Sequence, residues 1–175
     1  VQGRPFYIIN ADVRHCFFQY PLPPSIAAMF ACKSQHDELY YVPNAMQMGS
    51  ALSPIIAQTG TWAMLLNNKF GQPPGVGINR IKGLERLPEW IELFAPIKGK
   101  LVAAGGIFVC IDNIFVITWD EQLARSWSAR IKRSCEHINM QLKAGSGAEF
   151  ITIGPEDTYD KVAGREESAE RRTYI

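Results

Sequence analysis

The chain has 175 residues, 47% of them hydrophobic and 20% charged, and its 18 Lys and Arg against 17 Asp and Glu leave a net charge of +1. Collagen-like, coiled-coil and wholly disordered architectures fit these proportions poorly, and the length suits one domain or one piece of a larger one. So small a net charge gives no broad basic field, so any nucleic-acid contact has to be made locally or by sequence beyond these residues.

Apolar runs such as Ile26 to Cys32 and Gly106 to Ile111 fall far short of the ~18 residues of a spanning helix, so no membrane partner is expected. Cys16, Cys32, Cys110 and Cys135 form no C-x-x-C pair and have no His at metal spacing. Neither zinc nor a disulfide framework is indicated, and reduced thiols in an intracellular setting, cytoplasmic or nuclear, are the expectation. No secretory signal is visible, and Val1 in place of Met reads as the start of a fragment.

In chain order, Phe6 to Ala11 (FYIINA) predicts a buried strand that delivers Asp12 at its end. Pro21 to Pro24 interrupt regular pairing, and Ser25 is placed to cap a short helix over Ile26 to Met29. Phe30 to Gln35 and Leu39 to Val42 predict a hairpin turning around His36 and Asp37. Ser53, as a capping hydroxyl before Pro54, starts a helix running to about Leu66. Residues 67–99, with Asn-Asn, Gln-Pro-Pro-Gly, Pro88 and Pro96, read as a loop insertion with a short helix near Glu89 to Phe94.

Gly106 to Trp119 (GIFVCIDNIFVITW) predicts a β-hairpin around Asp112 and Asn113, with the acid at its tip. Asp120 can cap the next helix, in which Leu123, Trp127, Ile131, Cys135, Ile138 and Leu142 form a core-facing stripe. Glu149 to Ile153 reads as a last strand, and Gly164 to Arg172 as a charged tail.

Asp12 and Asp112 each end an apolar strand. Singly, the first has an ordinary explanation as a helix cap and the second as a turn former. On neighbouring strands of one sheet they would reach a common rim, where hard oxygen donors without thiolate or imidazole favour Mg²⁺.

The words around them narrow the choice. DVRHCFFQYPL (Asp12 to Leu22), QMGSALSP (Gln47 to Pro54) and CIDN (Cys110 to Asn113) come in the order of motifs A, B and C of reverse transcriptases, and the chain resembles the palm of a retroelement reverse transcriptase. An Asp is followed five residues later by Phe17 and then by a Pro-Leu pair. Gly49 and Ser53-Pro54 are retained, and the Met-Gly form is similar to hepadnavirus and some tyrosine-recombinase retroelement enzymes, of the DIRS-like or VIPER-like kind. The segments 120–139, Gln141 to Lys143 and the strand ending at Gly154 are similar to the weaker motifs D and E.

The resemblance implies an α+β palm, an antiparallel sheet packed on helices, over residues 1–155 with partial fingers and no thumb. Residues 156–175 would be a charged tail or the start of the next segment. It also implies RNA-directed DNA polymerisation on an RNA or DNA template with primer, the fragment alone being inactive. Asp12 and Asp112 would hold two Mg²⁺ ions, with Mn²⁺ as a substitute and the Val13 carbonyl as a further ligand. Backbone N–H groups at His15 and Cys16 would meet the phosphates of a dNTP, Phe17 would be the steric gate under its sugar, and Met48 and Gly49 would lie beside it. Cys110 would stand at the primer end. The implied partners are the other polyprotein segments: fingers, thumb, RNase H and recombinase.

Two positions depart from the pattern. Motif C normally ends in two acids, whereas here the second is Asn113, and the Tyr usual before the first acid is Cys110. The alternatives are a catalytically inactive reverse-transcriptase-like module and an unrelated Mg²⁺-dependent phosphohydrolase with acids at strand tips.

Overall fold

The computed structural model describes residues 4–77, 90–143 and 148–154. Its centre is a five-stranded antiparallel sheet of β1 (Phe6–Asp12), β4 (Trp90–Ile97), β5 (Lys100–Cys110), β6 (Asn113–Thr118) and β7 (Phe150–Ile153), in the order β4-β5-β6-β1-β7. β2 (Cys32–Lys33) and β3 (Tyr40–Tyr41) form a separate small hairpin. Among the described residues three α-helices accompany them: α1 (Pro24–Ala27), α2 (Ser53–Leu66) and α3 (Glu121–His137). The expected α+β class with an antiparallel sheet on helices is therefore present. Among the described residues no helix is long and apolar enough to cross a membrane.

Alternation decides which face of the sheet is covered. Ile9 and Ala11 of β1, Ile114 and Val116 of β6, and Ile107 and Val109 of β5 are buried, and they join Ala57, Trp62 and Leu65 of α2 and Trp127, Ile131 and Cys135 of α3 in one core. The stripe expected on α3 holds as far as Cys135. The helix ends at His137, leaving Ile138 exposed, and Met140 fills the core beyond it. Asp120 caps α3 as expected, its Oδ1 accepting the Leu123 N–H at 2.8 Å.

Arg130 ties the two long helices together. Its guanidinium is buried and donates to the carbonyls of Leu65 at 2.6 Å, Asn67 at 2.7 Å and Gly71 at 3.1 Å, in and just beyond the last turn of α2. Burial lowers its pKa from the ordinary arginine value.

The structure corrects five expectations. The segment read as an insertion with a helix near 89–94 contains β4, in which Ile91, Leu93 and Ala95 are buried in strict alternation. Pro96 is compatible because β4 is an edge strand, and β4 turns into β5 through Lys98 and Gly99, both at positive φ as primed hairpin turns require. The hairpin arm before Asp112 accordingly starts at Lys100, not Gly106.

Ser53 does not cap α2. It is the first helical residue, and its hydroxyl donates to the Gln47 carbonyl at 2.8 Å, while Pro54 sits in the first turn as expected. Ser25 likewise lies inside α1, which begins at Pro24 and passes into a 3₁₀ turn over Ala28–Phe30. The hairpin around His36 and Asp37 forms, but only two residues on each side pair. The tail over Gly164 to Arg172 lies outside the described residues.

Candidate active site

The register of β1 and β6 sets the geometry. Asp12 is cross-strand from Asn113 at the end of the ladder, so the next residue on one side and the preceding residue on the other, Val13 and Asp112, continue past the last pair. The Val13 N–H donates to the Asp112 carbonyl at 2.9 Å. A further short pairing then begins, with the Arg14 N–H donating to the Gln141 carbonyl at 2.9 Å and the Lys143 N–H to the Asp12 carbonyl at 2.8 Å. This brings the Lys143 ammonium to 3.4 Å from Asp12 Oδ2.

Asp112 is the second residue of a two-residue loop, Ile111–Asp112, between the paired Cys110 and Asn113. Ile111 adopts φ 58°, a left-handed conformation that a β-branched residue enters at a cost. Helix α2 holds it there. Gln58 donates to the Val109 carbonyl at 2.7 Å and accepts the Ile111 N–H at 2.5 Å, and Thr61, three residues on, donates to the Ile111 carbonyl at 2.9 Å. Asn113 Nδ2 donates to Asp112 Oδ1 at 3.1 Å.

Asp12, Asp112 and Lys143 line one cleft of about 490 Å³. Val13, Arg14, His15 and Cys16 form part of its wall, and Phe17, Phe18 and Met48 add an apolar side. Phe17 also rests against the core, whereas Phe18 is 56% exposed, so of the two adjacent rings it is Phe17 that packs inward. His15 takes the left-handed conformation, φ 49°, at the turn into the 3₁₀ segment Cys16–Gln19.

Gly49, Cys110 and Asn113 stand outside the cleft lining. A Cβ on Gly49 would meet nothing within 4 Å, so its φ of 93° in a turn is what calls for glycine there. Cys110 is exposed at the end of β5, cross-strand from Asn113.

The two acids share one cleft. The Asp112 carboxyl is raised above the usual carboxylate value, first by burial and then by the negative charge of Asp12, with Lys143 and the Asn113 amide pulling the other way. The buried Cys16 thiol is pushed up to about 12, by burial first and then by the charges of Asp112 and Asp12. Two carboxyl groups on one cleft, that of Asp112 raised first by burial and then by Asp12, offer the hard oxygen donors that a divalent cation takes. The oxygen donors present therefore fit a divalent ion of the Mg²⁺ class.

Four residues that shape this rim carry little signal in the sequence. Lys143 follows Gln141 and Leu142 in a short segment after α3, and nothing local marks its side chain. Gln58 and Thr61 share an i, i+3 face of α2 that reads as ordinary helix, and Gln19 reads as a polar residue between aromatics. In comparisons with known proteins, no family model matches the chain, and no curated protein matches it.

Proposed function

We propose that this chain is the palm-like core of an RNA-directed DNA polymerase, one segment of a larger retroelement polyprotein, which adds deoxynucleotides to a primer 3′-hydroxyl. The observation that carries this reading is the convergence of Asp12 and Asp112 on the lining of one cleft. The ordered words around them, DVRHCFFQYPL, QMGSALSP and CIDN, supply the reaction class by resemblance.

Asp12 and Asp112 would hold two Mg²⁺ ions, or Mn²⁺ in their place, with the Val13 carbonyl as a further donor. When bound, such ions activate the primer hydroxyl and offset charge on the triphosphate. The chain's own residues do the rest. Lys143 and Arg14 add positive charge at the wall of the cleft, and the turn at His15 and Cys16 is assigned to the phosphates. Phe17, braced by the core, excludes a 2′-hydroxyl from the sugar position, and Met48 forms an apolar floor beside the nucleotide. Template, primer, and the remaining fingers, thumb, RNase H and recombinase segments are the partners.

Primer extension by a longer chain carrying finger and thumb segments tests the proposal. Asp12→Asn and Asp112→Asn are each expected to abolish extension, and Phe17→Ala to admit ribonucleotides while deoxynucleotides are still used. Extension that survives both Asp substitutions refutes the assignment.

One observation favours the second reading, a reverse-transcriptase-like module without activity. The Asn113 amide is committed to Asp112 as a donor, so the residue where the family carries an acid adds N–H and no charge to the rim. A longer chain that binds template and primer yet fails to extend, and recovers extension with no Asn113 variant, would establish this reading instead.

A further inference from the structure

Lys143 reaches Asp12 from a segment that β1 and β6 do not hold. Residues 141–143 lie beside Asp12–Arg14 through an isolated bridge between Val13 and Leu142 and the two backbone bonds flanking it. Gln19, at the end of the 3₁₀ turn, adds a third attachment. Its Oε1 accepts the Gln141 N–H at 2.7 Å, and its Nε2 donates to the Gln141 carbonyl at 3.2 Å. The same Nε2 donates to the Arg14 carbonyl. The primary amide thus serves Gln141 as the peptide group of a neighbouring strand would, offering one acceptor and one donor in the same plane. Its other bond reaches back to the turn after Asp12.

We infer that Gln19 is a positioning residue, whose amide fixes the 141–143 segment against the turn after Asp12 and so seats the Lys143 ammonium on the Asp12 carboxylate. The inference deepens the proposed function and rests on it only for what the seated charge does. In that reading Gln19 determines whether the cleft meets an anionic substrate with a fixed cation beside Asp12 or with a freely moving side chain. The ion pair itself is open to solvent, with side chains 49% exposed on the Lys143 side and 23% on the Asp12 side, so how firmly it is seated depends on how firmly its backbone segment is held.

The test measures acylation of Lys143 by an N-hydroxysuccinimide ester, read by mass spectrometry and normalised to the exposed Lys100 in the same chain. A lysine seated on a carboxylate presents its nitrogen to the reagent less often than one that moves freely in solvent, so it labels slowly. Gln19→Met keeps the length of the side chain and removes all three bonds. It is expected to raise Lys143 labelling by roughly two- to fivefold, the scale of a partly exposed ion pair, and Asp12→Asn to do the same. The double variant should label no faster than Asp12→Asn alone, a non-additivity that a general loosening of the fold would not produce. Unchanged Lys143 labelling in Gln19→Met, or additive effects in the double variant, overturns the inference.

Amide hydrogen exchange on the wild-type chain gives a reading that needs no variant. The Gln141 N–H should be protected, and exchange at the rate of an open amide there overturns the inference as well. Mn²⁺ titration of the same proteins by electron paramagnetic resonance separates the two claims. Labelling that responds to Gln19 in a chain that binds no Mn²⁺ upholds the Gln19 assignment and sinks the metal site. Mn²⁺ binding with labelling indifferent to Gln19 does the reverse.

Discussion

The Gln58 side chain is bonded to both sides of the peptide step into the acidic turn, accepting the Ile111 N–H at 2.5 Å and donating to the Val109 carbonyl at 2.7 Å. This is how a helix on the covered side of the sheet controls an acid on its rim. Ile111 is held at positive φ, and that backbone conformation presents Asp112 to the cleft. Gln58→Ala removes both bonds and leaves two partly buried backbone groups to find water. A loss of about 1–3 kcal/mol is expected for groups of this kind. Urea unfolding should show it, and faster amide exchange confined first to Ile111 would trace the loss to the turn. Wild-type stability in this variant would mean that the hairpin holds its own tip.

Asp112 gives a pH signature. Its carboxyl is raised in the folded chain, by burial and then by Asp12, so between the ordinary value of about 3.9 and the raised one the folded state binds more protons than the unfolded. Stability therefore falls as pH rises through that window. Asp112→Asn removes this penalty. The variant should be more stable than wild type at neutral pH, by under about 1 kcal/mol because the side chain is only partly buried and solvent screens its charge. The difference should vanish below the ordinary carboxyl value. Thermal melts from acid to neutral pH would show the two curves separating as pH climbs. Parallel curves would mean that neither burial nor Asp12 raises the Asp112 carboxyl in the folded chain.

The same charges protect Cys16. Its thiol, pushed up to about 12, has almost no thiolate at neutral or mildly basic pH, and the thiolate is the species that reacts. Iodoacetamide is expected to modify the exposed Cys32 and Cys110 and to spare Cys16 and the equally buried Cys135. Peptide mapping after a timed reaction measures the four rates at once. Labelling of Cys16 as fast as Cys110 would place it outside the buried, doubly acidic setting.

Arg130 carries the junction between α2 and α3. Arg130→Met fills much of the same volume but takes the donor from the carbonyls of Leu65 and Gly71 and leaves that of Asn67 only the Phe70 N–H, at about 1–3 kcal/mol for each group that neither water nor another donor reaches. Arg130→Lys should recover little, because one ammonium cannot span carbonyls that the planar guanidinium meets along separate edges. Denaturant melts of the two variants against wild type would show nearly equal losses. Full recovery by Lys would mean that charge, not the fork of donors, is what the site requires.

The features legible from sequence are those written in neighbouring residues. FYIINA and GIFVCI announce strands by composition, Asp120 announces a cap by the amphipathic run directly after it, and the two acids stand at strand ends whatever the topology. β4 is hidden because Pro88 precedes it in the sequence and Pro96 lies within it, and whether proline is tolerated depends on edge position, which emerges only once the sheet is assembled. Ser53 has both the residue type and the setting of a cap, but a competing acceptor, the Gln47 carbonyl, lies six residues back across a turn. Gln19, Gln58 and Lys143 act through partners 122, 53 and 131 positions away in the case of Gln141, Ile111 and Asp12. No local pattern encodes such pairings.

Asn113 is where the site departs furthest from the motif it resembles, and replacing it should change stability and cation binding in opposite directions. At present its Nδ2 donates to Asp112 Oδ1 at 3.1 Å and holds that carboxyl lower than burial and Asp12 would leave it. Asn113→Asp exchanges this donor for a third carboxylate cross-strand from Asp12. Without a divalent ion the variant loses a hydrogen bond and gains repulsion, so it should melt below wild type at neutral pH and approach it as the acids are protonated. With a divalent ion the added charge favours binding, because hard cations gain affinity with ligand charge. Mn²⁺ affinity should therefore rise several-fold, and saturating Mn²⁺ should lift the melting temperature of Asn113→Asp more than that of wild type. Isothermal titration and paired melts with and without Mn²⁺ measure both halves. If the variant is destabilised yet binds Mn²⁺ no more tightly, the rim is a turn that needs its amide and not a place where cations are held. If it binds more tightly without being destabilised, the amide contact to Asp112 contributes nothing to the fold.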